Sequence, residues 1–121
     1  MADQVDIDAV KNLLRHFSQQ RDWDKFHHPK NLAMSLAAEA GELLDIFRWL
    51  TETESKALSK NVSAKQQVAQ ELADVLLNAI RLADLMDINL AKAIDEKLVT
   101  NAEKYPVDRV KGSAKKYDQY S

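Results

Sequence analysis

The stretch "SLAAEAGELLDIFRWL", Ser35 to Leu50, decides the fold and raises the question of function. Stepping its residues by 100° brings Leu32, Leu36, Leu43, Ile46 and Leu50 into one narrow arc, the signature of an amphipathic helix. Glu39 lies inside that apolar arc and Glu42 about 60° to one side, so two carboxylates sit where oil belongs. Gly41 stands between them. Glycine inside a helix costs about 1 kcal/mol, and the usual reason to accept that is a close backbone approach, which we expect here.

The same period runs outward from this segment. Helix 1 is expected from about Asp6 to Gln20, on the stripe Ala9-Val10, Leu13-Leu14 and Phe17. "RDWDKFHHPKN" interrupts it, and helix 2 starts near Pro29 or Asn31 and runs to about Leu50. After the loop "TETESKALSKNV", Ser63-Ala-Lys-Gln66 has the form of a capping box and opens a helix that ends near Met86. Asn89 is the expected N-cap of helix 4, which ends before Pro106; residues 106–121 form a polar, basic tail. With two glycines, two prolines and no strand-like alternation, the class is all-α, a four-helix bundle in one domain over 1–121.

Bulk composition narrows the partners. The 121 residues include no cysteine, which excludes a disulfide scaffold or thiolate metal site and fits a reducing, cytoplasmic compartment. A formal net charge of −2 offers no basic field for nucleic acid. No run approaches the roughly 18 apolar residues of a membrane span, and the opening "MADQVDIDAV" is acidic, unlike a signal peptide.

The third predicted helix repeats the anomaly of the second. Glu71 and Asp74 border the Val68–Val75–Leu82 stripe, with Gln67 and Asn78 on their side of the helix. Each acid pair has i, i+3 spacing and so reaches one neighbouring volume. If the two stripes pack together, four carboxylates converge, and unpaired this is untenable: desolvated ions cost several kcal/mol each and like charges repel. Proton uptake, basic partners or a metal would each relieve it. The near stripes hold no lysine or arginine, and hard oxygen ligands without cysteine or paired histidine suit Mg²⁺ or Mn²⁺. His16, His27 and His28 lack ligand spacing with these acids and read as loop or surface residues. Leu76, Ile80, Ala83, Ala69 and Ala73 line nearly the opposite side of this helix. A helix apolar all round needs cover all round, from an enclosed position in a monomer or, as we expect, from a second subunit.

The segments "FSQQRDWDKFHHPKNLAMSLAAEAGELLDIFRWL", "QELADVLLNAIRLAD", "KLVTNAEKYP" and "KGSAKKY" resemble, in order and spacing, the MazG-like all-α nucleoside triphosphate pyrophosphohydrolases, closest to the dCTP pyrophosphatase type. The resemblance implies hydrolysis of a (deoxy)nucleoside triphosphate to the monophosphate and pyrophosphate with Mg²⁺, by a dimer or tetramer. It implies that Glu39, Glu42, Glu71 and Asp74 are metal ligands and catalytic. It further implies that Trp23 and Trp49 pack around the base, and that Lys97 and Asn101 reach the sugar or phosphates with Lys104 and Tyr105 nearby. A histidine and a tyrosine that contact the base in the dCTP-preferring type stand here as Leu14 and Asn78, and Ala38 replaces a glutamate common in relatives. Two alternatives stay open: a non-enzymatic helical adaptor, for which His16 is the one candidate phosphotransfer histidine, and the same fold acting on a non-canonical nucleotide.

Overall fold

The computed structural model describes residues 4–113, and all regular structure among them is helical. Helix α1 spans Ile7–Gln20 and begins at Asp6, whose side chain accepts from the Ala9 N–H at 3.0 Å. Its end is a Schellman motif. The Trp23 N–H donates to the Ser18 carbonyl and the Asp22 N–H to that of Gln19, with Asp22 in the left-handed region at φ 54°. The hydrophobic clasp that accompanies such caps is the edge-on contact of Trp23 with Phe17, ring centroids 5.8 Å apart. "RDW" is thus a helix stop built without glycine.

After a 3₁₀ turn at Asp24–Phe26, α2 runs Pro29–Phe47, three residues short of the expected end, because Arg48 caps it and the Leu50 N–H turns back to Phe47. The expected loop contains a short helix, α3, Glu52–Ala57. Its N-terminus carries the chain's capping box: Thr51 Oγ1 accepts from the Glu54 N–H while Glu54 accepts from the Thr51 N–H. The capping box expected at Ser63–Gln66 is therefore corrected. A second 3₁₀ turn, Leu58–Lys60, leads to α4, Val62–Leu85, which starts earlier because Asn61, extended at φ −91° and ψ 111°, caps the Ala64 N–H. The end of α4 repeats the Schellman pattern, with Asp87 at φ 54° and the Ile88 N–H donating to Ala83.

Residues up to Ile88 form one compact unit in which α4 packs along α2 and, to a lesser extent, α1. Its sealed apolar residues are Leu32, Ile80 and Ala83, 5–7% exposed. Ile80 and Ala83, expected to face a second subunit, are covered by the chain itself. Leu76 on the same side is 58% exposed, and Ala69 and Ala73 are also exposed. An ideal Cβ at Gly41 meets nothing within 4 Å, so the expected close approach is not made by this chain's own elements.

A second unit begins at Asn89. It holds α5, Leu90–Lys104, capped by Asn89 as expected, and a turn of helix after Pro106, α6, Val107–Val110, where the sequence suggested only a tail. Tail residues 114–121, including Lys115 and Lys116, lie outside the described residues. No helix among the described residues is long and apolar enough to cross a membrane.

Candidate active site

Helical periodicity brings three of the four expected acids together. Glu39 and Glu42 sit one turn apart on α2, Glu71 faces them from α4, and one oxygen of each lies within 4.8 Å of the others. The Oε2 atoms of Glu39 and Glu71 are buried with no hydrogen-bond donor among the described residues. Arg15 and Arg81, the cations tied to α4, pair with Asp84 and Asp24, and Arg48 pairs with Asp45, so these ion pairs are made with other acids. The consequence falls on Glu39, whose carboxyl is pushed up to about 7 by the adjacent Glu71 carboxyl first. Desolvation, Glu42 and the charge of Asp74 add to the shift. Two sealed oxygens without donors, in an all-oxygen cluster from two rigid helices, fit a hard divalent cation.

Asp74 is exposed and stands outside the three-residue cluster, one turn beyond Glu71. It nevertheless acts on Glu39 through its charge, and it also lines an adjoining cavity of about 280 Å³. That cavity is walled by Phe17, Trp23 and Phe26 on one side, with Leu14, Asn78 and Arg81 among its other lining residues. Trp23 owes its place to the cap of α1, and Asn78 is tied to α4 by its Nδ2–H, which donates to the Asp74 carbonyl at 2.9 Å. The expected base-side residues Trp23 and Asn78 thus share one cavity with Asp74.

The remaining expected residues are placed elsewhere. Trp49 lies beyond α2, 81% exposed, its ring covered on one face by the Arg48 guanidinium. Lys97, Asn101 and Lys104 are on α5, with Tyr105 at its C-cap, all in the second unit.

One cluster was missed in the sequence. Ser18, fully buried, donates from Oγ to Asp24 Oδ1, and Arg81, 7% exposed, donates from Nη2 to the same oxygen at 3.2 Å and from Nε to His27 Nδ1 at 3.2 Å. Arg81 also reaches Asp84, which Arg15 holds from α1 with Nε to Oδ2 at 2.7 Å. His27 is therefore a half-buried member of a network, not the loop or surface residue expected, and burial followed by the Arg81 charge lowers its pKa. A buried arginine amid apolar "LLNAIRLAD" was the available signal, since a charge there demands partners.

The MazG-like family model matches residues 34–119, and the chain belongs to this family. It is 35% identical over 111 residues to dCTP pyrophosphatase 1 of Mus musculus, covering 92% of this chain and 65% of that protein. To dCTP pyrophosphatase 1 of Homo sapiens it is 31% identical over 113 residues, 93% of this chain and 66% of the relative. The chain thus spans just under two thirds of the length of the curated relatives it matches. A crystal structure of a pyrophosphatase from Archaeoglobus fulgidus DSM 4304 superposes with a TM-score of 0.77 at 36% identity, covering 88% of this chain and 97% of that one.

Proposed function

We propose that the protein is a Mg²⁺-dependent nucleoside triphosphate pyrophosphohydrolase that converts a deoxynucleoside triphosphate, dCTP first, to the monophosphate and pyrophosphate. The observation that carries this is the Glu39–Glu42–Glu71 cluster, with its two buried and unpartnered oxygens, beside an aromatic cavity that Asp74 lines. Family membership and the likeness to dCTP pyrophosphatases supply the reaction class.

Glu39, Glu42, Glu71 and Asp74 would hold the metal, which when bound neutralises phosphate charge and makes water a better nucleophile. Asp74, being exposed and next to the cavity, would as a metal ligand set where the phosphates lie relative to a base placed against Trp23. Stacking on one aromatic ring contributes about 1–3 kcal/mol. The cavity's apolar wall excludes water from one side of the base while its polar wall reads the edge. Glu39, at the centre of the cluster, is the carboxylate we assign to accept the proton of the attacking water. Lys97, Asn101, Lys104 and Tyr105 contribute to sugar and phosphate binding, and Trp49 to the base. Self-association as a dimer or tetramer is part of this reading, supported by apolar Leu72, Leu76 and Leu44 left exposed.

Pyrophosphate release from dCTP, with Glu39→Gln and Asp74→Asn as variants, tests the assignment. The expected loss is on the order of a hundredfold, the scale of losing one preorganised electrostatic contact. Rates near wild type in both variants would overturn it. Lys97→Ala and Asn101→Ala should raise KM, and unchanged values would remove α5 from the proposal.

A further inference from the structure

The polar wall of the cavity contains a histidine whose protonation site is dictated by its neighbour. An arginine side chain carries only donors and does not give up its proton, so the Arg81 Nε–H pointing at His27 Nδ1 makes that nitrogen an acceptor. The Ser18 hydroxyl, 3.2 Å from the same nitrogen, has one hydrogen and donates it to Asp24 Oδ1. With Nδ1 turned to Ser18 and Arg81, the proton of the neutral ring resides on Nε2, on the ring's other side. His27 lines the cavity, so the edge it can offer a ligand is a fixed N–H donor. Asn78 offers the complement: one of its two amide N–H groups is committed to the Asp74 carbonyl, and its Oδ1 is an acceptor.

We propose that Arg81 is a positioning residue that locks His27 as the Nε2–H tautomer, and that His27 and Asn78 together read a nucleobase edge presenting an acceptor beside a donor. Cytosine has that edge in its N3 and 4-amino group and adenine in its N1 and 6-amino group, so the pair favours these two bases over guanine and thymine. This rests on the proposed function, since the ligand is the base of a triphosphate. Arg81 can be held rigid enough for the task because Asp24 and Asp84 anchor its two other nitrogens from opposite sides.

The test is ¹⁵N-edited NMR of the histidine rings in the full chain, with His27→Phe supplying the assignment, joined to kcat/KM for the four canonical deoxynucleoside triphosphates and for 3-deaza-dCTP, which lacks the N3 acceptor. The wild type should show a single neutral Nε2–H tautomer at His27 and hydrolyse dCTP about tenfold better than the 3-deaza analogue, one hydrogen bond's worth. His27→Phe should lose that discrimination, His27→Gln should keep part of it through its amide donor, and Arg81→Met should release the tautomer and blur the base ranking. An Nδ1–H tautomer in the wild type, or a base ranking unmoved by His27→Phe, overturns the inference while pyrophosphate release leaves the function standing. A wild type inert on every triphosphate overturns both. Asp24 keeps Ser18 and Asp84 keeps Arg15 in Arg81→Met; should it fail to fold, the wild-type tautomer and His27→Phe still decide.

Discussion

Glu39 on α2 and Glu71 on α4 stand side by side, each with one buried oxygen that no donor among the described residues reaches. Folding therefore raises the Glu39 carboxyl to about 7 from an ordinary value of 4.5. The folded state keeps a proton that the unfolded chain has released. This contribution to stability is complete below about pH 4.5, falls as pH rises toward 7, and is gone above it. In chelator, Tm of the wild type should drop relative to Glu39→Gln across that window, and the variant should be the more stable at pH 8. Parallel Tm profiles for the two proteins would contradict the contact.

A divalent cation bound at this cluster would replace that proton. Millimolar Mg²⁺ or Mn²⁺ should raise Tm by the linkage RT ln(1 + [L]/Kd), about 2.7 kcal/mol at a hundredfold excess over Kd. For a domain this size that is a rise of several degrees. The rise should be larger at pH 8 than at pH 6, because less proton must be displaced from Glu39. Glu71→Gln should abolish most of it, as read by scanning fluorimetry at the two pH values.

Asp22 holds the cap that presents Trp23. At φ 54° a β-branched residue is strained by about 1–2 kcal/mol, whereas aspartate tolerates the conformation and glycine adopts it freely. Asp22→Gly should leave stability within about 1 kcal/mol, and Asp22→Val should lower it by about 1–2 kcal/mol. The valine variant should also raise KM for the triphosphate, by loosening the Trp23–Phe17 clasp. Urea titrations alongside steady-state kinetics separate the two effects.

Leu76 and Ile80 lie one turn apart on α4, yet only Ile80 is sealed inside the chain. Ile80→Ala should cost about 2–5 kcal/mol in chemical denaturation, as cavity-forming core truncations do. Leu76→Glu should instead shift the sedimentation coefficient to that of a smaller species with helical content retained. Unchanged sedimentation would show that this surface is not an interface.

The helices and the acid cluster were legible because they rest on period alone: Glu39, Glu42 and Glu71 fall on stripes that only one packing can satisfy. The caps were read unevenly. Asn89 was found, while Asn61 lost to Ser63 because both are good cap residues and only tertiary packing sets where α4 begins. The ends of α1 at Gln20 and of α4 near Met86 were legible from period, but the form of their caps was not, since aspartate replaces the glycine that normally marks a left-handed cap. The Ser18–Asp24–His27–Arg81 network joins residues up to 63 positions apart and leaves no local pattern. Gly41 misled: its small size meets no neighbour in this chain, so the helix cost was legible but its reason was not.

Glu71, Asp74 and Asn78 follow one another along α4 at intervals of three and four residues, which places them about 4.5 and 6 Å apart along the axis. On the proposed function a single rod would gauge the nucleotide, with its charged end read at one notch and its ring at another. Inserting one residue between Asp74 and Asn78 would swing the far notch by about 100° and lengthen the span by about 1.5 Å, uncoupling recognition of the two ends without touching either.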